Sequence, residues 1–305
     1  MTGPGDTWVV LGGTGFLGSH VAQEAVAAGH DVTRVQRQAP AADPDSSAVS
    51  ADIRHAGDLD SIVDGAHVVV HAASYVGRDE ETAHSVNVEG TSLVVRAVAR
   101  AATPRLIYLS TASVTGRGPH RNAVCKDGDQ DPESAVSRSR ALAERIVLEA
   151  GGIVLRPNLV YGQGDRWFVP ALATLLQGQS LPAGVGEARI STVHVEALAR
   201  AVVAVGADLG RFPGPGTYYV TSPAPDSVND VLTQVESLGA NRSGSSVTAT
   251  NAWNALSAHQ QSLLTVDNYF DSSPLWDRLP IRPARNFHLS DRDRLWYKKH
   301  LTSTN

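Results

Sequence analysis

The segment from Trp8 to Gly18, WVVLGGTGFLG, constrains the fold more than any other part of the chain. It opens with an apolar run, Trp8 to Leu11, that is too short for a helix. A glycine cluster follows, and then a helix-compatible stretch from Ser19 to Ala28 that Gly29 closes. The order predicts a strand, a tight turn and a helix at the beginning of the chain.

The glycines of this segment follow a G-x-x-G-x-x-G spacing, and each meets a separate physical demand. Gly12 permits a sharp exit from the strand, and Gly15 lets the backbone approach a pyrophosphate. Gly18 lets the helix lie close to the sheet. Phosphate groups bound there would face free N–H groups and the positive end of the helix dipole, so the segment predicts a dinucleotide site.

Composition and charge narrow the class of protein. The 305 residues are 42% hydrophobic and 19% charged, which is typical of a soluble globular protein. A formal net charge of -5 disfavours nucleic acid or an anionic membrane as partner. The lone cysteine, Cys125, excludes an intramolecular disulfide and indicates a reducing compartment, so we expect a cytoplasmic protein. The histidines have no metal-ligand spacing, and we expect no metal.

Predicted strands alternate with predicted helices along most of the chain. The strands are Asp31 to Gln36, Ala48 to Ala51, His67 to Ala72, Arg105 to Leu109, Ile153 to Leu155, Arg189 to Val193 and Tyr218 to Val220. The helices include Gly57 to Val63, Ala83 to Ala102, Ser134 to Ala150, Phe168 to Leu176, Glu196 to Val205 and Ser227 to Leu238. This alternation predicts an α/β fold with a parallel sheet, whose ligands bind at the carboxyl ends of the strands.

Two segments lack this alternation. Gly118 to Pro132 is interpreted as a long polar loop that lines or covers a pocket. From Gly239 onward the chain predicts one or two short helices and irregular structure, which could form a lid.

The end of the second strand bears on the choice of cofactor. Dinucleotide folds place an acidic residue there to hold the adenosine ribose, whereas this chain has Gln36 followed by Arg37. A guanidinium can receive a 2'-phosphate that a carboxylate would repel, and Arg34 lies nearby. We therefore predict NADP(H) rather than NAD(H).

Several motifs together resemble the extended short-chain dehydrogenase/reductase family. They are GGTGFLG at Gly12, ADI at Ala51, HAA at His71, NVEGT at Asn87, LSTASVTG at Leu109, LRPNLVYGQGD at Leu155 and STVHVEALARAV at Ser191. The resemblance runs from Trp8 to Val220 and implies a Rossmann-type, doubly wound parallel sheet with a smaller C-terminal substrate lobe. We expect residues 1–160 to be mainly the NADP(H)-binding domain and 161–305 mainly the substrate lobe, with the chain free to cross between them.

The chain departs from this family at the position that matters most for catalysis. The family has a Ser or Thr after the fifth strand, matched by Thr111, and a Tyr-x-x-x-Lys on the next helix. Here the tyrosine position is Val136 and the lysine position is Arg140. Valine has no titratable proton, and an arginine whose pKa exceeds about 12 is a poor proton source, although it can donate hydrogen bonds to a ribose.

The motifs and the resemblance together define the expected site. The candidate catalytic hydroxyls are Thr111, Ser110 and Ser113. The expected cofactor contacts are Gly12, Thr14, Gly15, Phe16, Leu17, Gly18, Arg34, Arg37, Asp52, Ile53, Ala72, Ala73, Ser74, Leu109, Arg140, Pro157 and Asn158.

Three hypotheses follow from the missing tyrosine. In the first, which we favour, the protein reduces a ketone whose own neighbouring hydroxyl supplies the proton, and Thr111, Ser110 or Ser113 binds the carbonyl oxygen. In the second, another side chain is the acid; the candidates are Tyr75, Tyr161 and His194. In the third, the chain binds NADP(H) without catalysing a reaction.

Aromatic residues suggest the kind of substrate. Trp167, Phe168, Trp253, Leu256, Tyr269, Phe270 and Trp276 could form an apolar pocket for a flat polycyclic ligand. With the missing Tyr-Lys pair, this pattern resembles the atypical ketoreductases that modify aromatic polyketides such as angucyclinones in antibiotic biosynthesis. The alternative is a nucleotide-sugar reductase or epimerase, in which Arg117, Arg121 or Arg166 would hold a diphosphate.

Overall fold

The computed structural model describes residues 5–37, 48–101, 105–126, 128–176, 185–208, 210–239, 253–254, 256 and 258–301. The strands are β1 Thr7–Leu11, β2 Asp31–Gln36, β3 Ala48–Ser50, β4 Val68–His71, β5 Arg105–Leu109, β6 His120–Ala123, β7 Ile153–Pro157, β8 Val160–Tyr161, β9 Arg189–Ile190, β10 Val193–His194, β11 Gly216–Val220, β12 Asp226–Ser227 and β13 Asn268–Phe270. The helices are α1 Phe16–Ala27, α2 Ala56–Val63, α3 Glu80–His84, α4 Thr91–Arg100, α5 Ala135–Glu149, α6 Phe168–Leu176, α7 Val195–Ala207, α8 Val228–Glu236, α9 Ala258–Thr265, α10 Ser273–Trp276 and α11 Asp291–Leu301, with a π-helix at Ser85–Gly90 and a 3₁₀ helix at Ala112–Thr115.

Seven parallel strands form the main sheet, in the order β11-β7-β5-β4-β1-β2-β3. Its central strands are short apolar runs, as expected of strands that helices cover on both faces. The strand order changes direction at β1, which lies between β2 and β4. The predicted α/β, Rossmann-type fold is confirmed, and a ligand is expected where the loops after β1 and β4 meet.

The first strand, β1, is held in the core by the packing of Trp8. Trp8 is fully buried against α7, where Gly206 leaves room for its ring. A Cβ on Gly206 would lie 2.2 Å from the Trp8 indole, so no larger residue fits. The helix α1 also packs on α7. The glycine-rich turn therefore lies between two elements, β1 and α1, that both pack against α7.

A separate hydrophobic cluster forms beyond the carboxyl edge of the sheet. It unites residues of α6, α8, α9 and α11, all from the second half of the chain. However, α7 and β11 belong to the main sheet and its covering helices, so the second half of the chain contributes to both units. In the described part of the chain, none of the helices is both long enough and apolar enough to cross a membrane.

Several expected elements are wrong in detail. The predicted loop Gly118 to Pro132 contains β6, which pairs with β13, a strand from the segment expected to be irregular. Both strands are short and contain polar residues, so neither shows the alternating pattern by which a strand is recognised from its own sequence. Each becomes a strand by pairing with a partner distant in sequence. That same segment ends in α11, a helix of 11 residues. Residues 240–252 of the predicted lid lie outside the described residues.

Two further boundaries differ. The single strand expected at Arg189 to Val193 divides into β9 and β10, which belong to different sheets. The helix expected from Ala83 begins at Glu80, and a π-helical turn at Ser85–Gly90 interrupts it. Asp79 caps this helix by accepting a hydrogen bond from the Thr82 N–H at 2.7 Å. Hydrophobic periodicity shows neither the cap nor the wider turn.

Candidate functional site

A cavity of about 610 Å³ runs from the carboxyl edge of the main sheet into the second hydrophobic cluster. One half is lined by the start of α1, the ends of β4, β5 and β7, and Arg140 of α5. The other half is lined by apolar side chains of α6, α8 and α9, with Ile190 and Leu256. The cavity therefore joins the predicted nucleotide turn to an apolar chamber.

The glycine-rich turn has the shape that a dinucleotide requires. A Cβ on Gly12, whose φ is +80°, would lie 2.7 Å from the Ala73 nitrogen. A Cβ on Gly18 would lie 2.2 Å from the Gly12 carbonyl oxygen, so only glycine allows α1 to start so close to β1. No side chain caps α1, and its first turn contains no acidic residue. Its first N–H groups are thus available to an anion, and the residues present fit a pyrophosphate.

The expected cofactor residues divide into two groups. Those that line the cavity are Gly15, Phe16, Leu17, Gly18, Ala72, Ser74, Leu109, Arg140 and Pro157. Those that do not line it are Gly12, Thr14, Arg34, Arg37, Asp52, Ile53, Ala73 and Asn158. The second group lies mostly around the loops after β1, β2 and β3, where an adenosine half would extend from the turn.

Two residues of the second group have structural partners. Arg54 donates to both carboxylate oxygens of Asp52, and this hydrogen bonding lowers the pKa of Asp52 to about 2. The Asn158 amide donates to the Ser191 carbonyl at 2.9 Å and fixes the chain beside the cavity. The next residue, Leu159, lines the cavity with a φ of 39°, a backbone conformation that is rare for a branched side chain and is often found at functional sites.

Arg34 and Arg37 lie at the end of β2, beside the glycine-rich turn. A Cβ on Gly13 would lie 2.9 Å from the Arg34 Cβ, so this side chain starts directly against the turn. Arg37 is exposed. No carboxylate among the described residues forms an ion pair with either guanidinium, so both can receive an anionic group.

The helix α5 places Arg140 in the cavity wall. The guanidinium is nine-tenths buried and donates from Nη2 to the Leu109 carbonyl at the end of β5. Its Nε has no hydrogen-bond partner among the described residues. Val136, one turn earlier on α5, is half-buried and brings no polar atom to the site. The helix therefore supplies a fixed positive charge but no acid.

The predicted hydroxyl cluster follows β5 as expected. Ser110 and Thr111 line the cavity, and the buried Ser110 Oγ has no hydrogen-bond partner among the described residues. Thr111 Oγ1 accepts from the Ser113 N–H at 3.2 Å and caps the 3₁₀ helix. The Ser113 Oγ accepts a hydrogen bond from the Thr111 hydroxyl at 3.2 Å, but Ser113 does not line the cavity.

The three alternative acids lie outside the cavity wall. Tyr161 is buried, its hydroxyl accepts from the His288 N–H at 3.1 Å, and burial raises the pKa of the phenol. His194 caps α7 and lies 3.2 Å from an Asp293 carboxylate oxygen. Tyr75 accepts from the Asp79 N–H at 3.2 Å. Each of these side chains has a structural partner.

Sequence reasoning missed a buried polar network behind the cofactor half of the cavity. Asn87, in the π-helix, donates to Ser139 Oγ at 2.9 Å and to the Tyr75 carbonyl at 3.0 Å. Its oxygen accepts from Ser74 Oγ and from the Tyr75 N–H. Asn87 thus ties the loop after β4 to α5. A π-helical turn is frequent at functional sites, but no periodicity reveals it from one sequence.

Sequence reasoning also missed Asp165, which lines the apolar end of the cavity and is buried. Burial raises the pKa of its carboxyl group, and a carboxyl group with a raised pKa is a candidate general acid. However, its oxygens accept from the N–H groups of Trp167, Phe168 and Val169 and from the Tyr297 hydroxyl. Four donors stabilise the ionised form, so Asp165 serves as the cap of α6.

The aromatic expectations are partly correct. Trp167, Phe168 and Leu256 line the cavity, and Trp253 packs against the cluster behind it. Tyr269, Phe270 and Trp276, the other aromatic candidates, do not line it. Phe270 stacks on Tyr219 in a separate small core, Arg189 lies over the Tyr269 ring, and Trp276 donates to the Thr221 carbonyl inside the main core. Phe270 and Trp276 are buried and Tyr269 is half-buried, in β13 and α10, whose positions the sequence did not predict.

The arginines that could hold a diphosphate do not line the cavity. Arg117 pairs with Glu133, and Arg121 pairs with Asp267 at 2.7 Å. Arg166 is exposed and does not line the cavity. Among the described residues, Arg140 is the one cation in the wall, and it belongs to the cofactor half.

Comparison with known proteins shows the family of the chain and agrees with its fold. The sequence model of the NAD dependent epimerase/dehydratase family matches residues 8–220. Human 3 beta-hydroxysteroid dehydrogenase type 7 is 33% identical over 189 residues, which cover 52% of this chain and 51% of the human protein. The chain therefore spans about half the length of that relative.

Two further relatives cover more of the chain. The 4-hydroxy-2-methyl-3-oxo-4-farnesyl-3,4-dihydroquinoline-1-oxide ketoreductase of Stigmatella aurantiaca is 28% identical over 238 residues, 73% of this chain and 70% of its own. The structure of UDP-glucuronic acid 4-epimerase from Bacillus cereus in complex with NAD matches with a TM-score of 0.74 at 16% identity, covering 98% of this chain and 97% of that one. At that identity the structural likeness supports the fold alone.

Proposed function

The chain belongs to the NAD dependent epimerase/dehydratase family, and from that premise we propose that it is an NADP(H)-dependent ketoreductase acting on an aromatic polyketide. The substrate would be an angucyclinone-like ketone of antibiotic biosynthesis, and its own hydroxyl group would supply the proton. The residues expected to bind the cofactor, and the division into a cofactor domain and a substrate lobe, are part of this proposal.

One observation carries the proposal. The polar residues that line the cavity are Ser74, Ser110, Thr111, Arg140 and Asp165. Among these described residues there is no phenol, imidazole or ammonium group, and the one carboxylate already accepts four hydrogen bonds. A ketone reduced in this cavity needs a proton that the wall does not supply.

The substrate itself is the simplest source of that proton. When bound, the nicotinamide would supply a hydride to the carbonyl carbon. A phenol hydrogen-bonded to the carbonyl oxygen can donate its proton as negative charge develops there, and the resulting phenolate regains a proton from water. The carbon gains a hydride, the oxygen gains a proton, and the ketone becomes an alcohol.

The chain's own residues would bind and orient the reactants. Ser110 and Thr111 offer hydroxyl donors beside the end of β5, where the carbonyl oxygen would lie. Arg140 lies in the cavity wall and offers a permanent charge, with N–H groups besides the one that the Leu109 carbonyl accepts, which can hold a ribose hydroxyl and stabilise a nearby phenolate. The apolar half of the cavity excludes water and favours a large hydrophobic ligand.

The apolar chamber also argues against the nucleotide-sugar alternative. A diphosphate needs cationic or multiple N–H partners, and the described wall of that half contains the carboxylate of Asp165 but no cation. The ketoreductase from Stigmatella aurantiaca supports the preferred substrate class, since its name describes a keto-dihydroquinoline with a farnesyl chain. That is a ring ketone with a large apolar substituent.

The proposal is tested with NADPH oxidation and three substrate sets: ortho-hydroxyaryl ketones, their methyl ethers, and nucleotide 4-keto-sugars. We expect turnover of the hydroxyaryl ketones and a loss of at least about 100-fold on methylation, since general acid catalysis contributes that much. Equal rates for ketone and ether would refute substrate assistance. Turnover of the sugars alone would establish the alternative, and tight NADPH binding without any turnover would favour a non-catalytic role.

A further inference from the structure

Two apolar side chains that line the cavity are also largely exposed to solvent. Trp167 is 69% exposed and Val76 is 57% exposed, and both line the cavity. They come from different loops at the carboxyl edge of the sheet, Val76 from the loop after β4 and Trp167 from the loop before α6. Their exposure places them at the cavity entrance.

The backbone that carries Trp167 is held rigidly. The Trp167 N–H donates to an Asp165 carboxylate oxygen at 2.7 Å. Asp165 in turn accepts from the hydroxyl of Tyr297, a fully buried residue of α11, at 2.9 Å. The indole is therefore exposed on a fixed support, and ordering it on binding costs little backbone entropy.

An exposed indole at the mouth of an apolar cavity is suited to stacking on an aromatic ring of a ligand. Its π-face favours offset stacking on another aromatic ring, which adds to the gain from burial alone. The cavity wall beyond it continues as apolar side chains, among them Phe168 and Leu172. A ligand that is flat and longer than the chamber would extend past them and cover the indole.

We propose that Trp167 is a specificity-determining residue that stacks on a flat aromatic ring of the substrate at the cavity entrance, and that Val76 covers the same ligand. This inference rests on the proposed function and refines it, because it distinguishes planar polycyclic ketones from saturated ring ketones of similar size. Trp167 acts through binding and has no part in proton or hydride transfer.

Isothermal titration calorimetry of the NADP⁺-loaded protein tests the inference with two probes, a hydroxyanthraquinone and a saturated steroid ketone. We expect Trp167→Ala to weaken hydroxyanthraquinone binding by about 10- to 100-fold, from the combined loss of stacking and buried area. Trp167→Phe should lose less than about fivefold because it keeps an aromatic face. The steroid ketone should lose less than the planar probe in Trp167→Ala.

The matched control is Leu295→Ala, which removes a side chain that is 71% exposed on α11 and does not line the cavity. It should leave both dissociation constants unchanged. If the native protein binds the planar probe and Trp167→Ala binds it equally tightly, the role of Trp167 is refuted while the proposed function stands. If the native protein does not bind the planar probe at all, the proposed substrate class fails, and the stacking role fails with it.

Discussion

Arg140 on α5 donates a hydrogen bond from Nη2 to the backbone carbonyl of Leu109, the last residue of β5. The bond is buried and connects α5 to the strand that the hydroxyl cluster follows. A lysine has one nitrogen at the end of its side chain, whereas arginine has three. Arg140 can therefore hold the strand with one nitrogen and still offer other N–H groups to a ligand.

We expect Arg140→Met to raise the dissociation constant of NADPH by about tenfold or more, since hydrogen bonds to a charged donor contribute about 1.5–3 kcal/mol. Titration of NADPH fluorescence measures this. The control is Arg138→Met on the same helix, an exposed arginine that pairs with Glu80 at 3.2 Å and lies outside the cavity wall. Unchanged affinity in Arg140→Met would show that this arginine does not bind the cofactor.

The glycine-rich turn makes a second, sharper prediction. Gly18→Ala should abolish measurable NADPH binding, because the new Cβ would lie 2.2 Å from the Gly12 carbonyl oxygen and push α1 away from the turn. Gly57→Ala is the matched control: a Cβ there meets no atom within 4 Å, so this helical site should gain up to about 1 kcal/mol. Normal NADPH affinity in Gly18→Ala would contradict the proposed position of the pyrophosphate.

The choice between cofactors depends on the end of β2. Arg37→Ala should weaken NADPH binding by about 10-fold or more and NADH binding by less than about threefold, since only NADPH has the 2'-phosphate that a guanidinium binds. Dissociation constants for both cofactors measure the difference. Arg100→Ala, which breaks an exposed ion pair with Asp60, should affect neither. Equal losses for both cofactors in Arg37→Ala would refute the predicted preference.

The sequence predicted the main sheet well because its central strands are short apolar runs and β2 alternates apolar and polar residues. Local chemistry also located the glycine-rich turn before α1 and the hydroxyl cluster after β5. The remainder depends on contacts distant in sequence. Phe270 was a candidate for the pocket but packs against Tyr219 in a small core beside the paired strands β13 and β6. Asp165 and Asn87 also form hydrogen bonds to Tyr297 and Ser139, residues distant in sequence that only the folded chain brings near.

Buried charge behind the site gives a prediction about stability. Arg156 donates to Glu144 at 2.7 Å and to Asp129 at 2.9 Å, and both Arg156 and Glu144 are fully buried. Glu144→Gln should lower the free energy of unfolding by about 3 kcal/mol or more, because it leaves a buried guanidinium only partly paired. Urea denaturation at pH 7 measures this. Asp60→Asn, which breaks an exposed ion pair, should cost less than about 1 kcal/mol.

His71 makes stability depend on pH in a defined window. It is fully buried, and burial, with a smaller contribution from the charge of Arg140, lowers its pKa from 6.5 to about 3. Thr91 donates its hydroxyl proton to the Asn87 carbonyl at 2.6 Å, so the His71 contact with Thr91 Oγ1 at 3.0 Å requires a proton on Nε2. The His71 Nδ1 is buried without a hydrogen-bond partner among the described residues, so burial disfavours a second proton there. The folded protein must keep His71 uncharged.

Between pH 6.5 and 3 the unfolded chain therefore binds a proton at His71 that the folded chain does not, and stability falls as the pH is lowered through this range. From pH 7 to pH 5 this residue should cost about 2 kcal/mol. His71→Gln keeps an N–H donor for Thr91 but cannot be protonated, so its free energy of unfolding should fall by about 2 kcal/mol less than that of the native protein over the same range. His84→Gln removes an exposed histidine and should follow the native profile. Parallel profiles for the native protein and His71→Gln would show that His71 is protonated as readily in the folded chain as in the unfolded one.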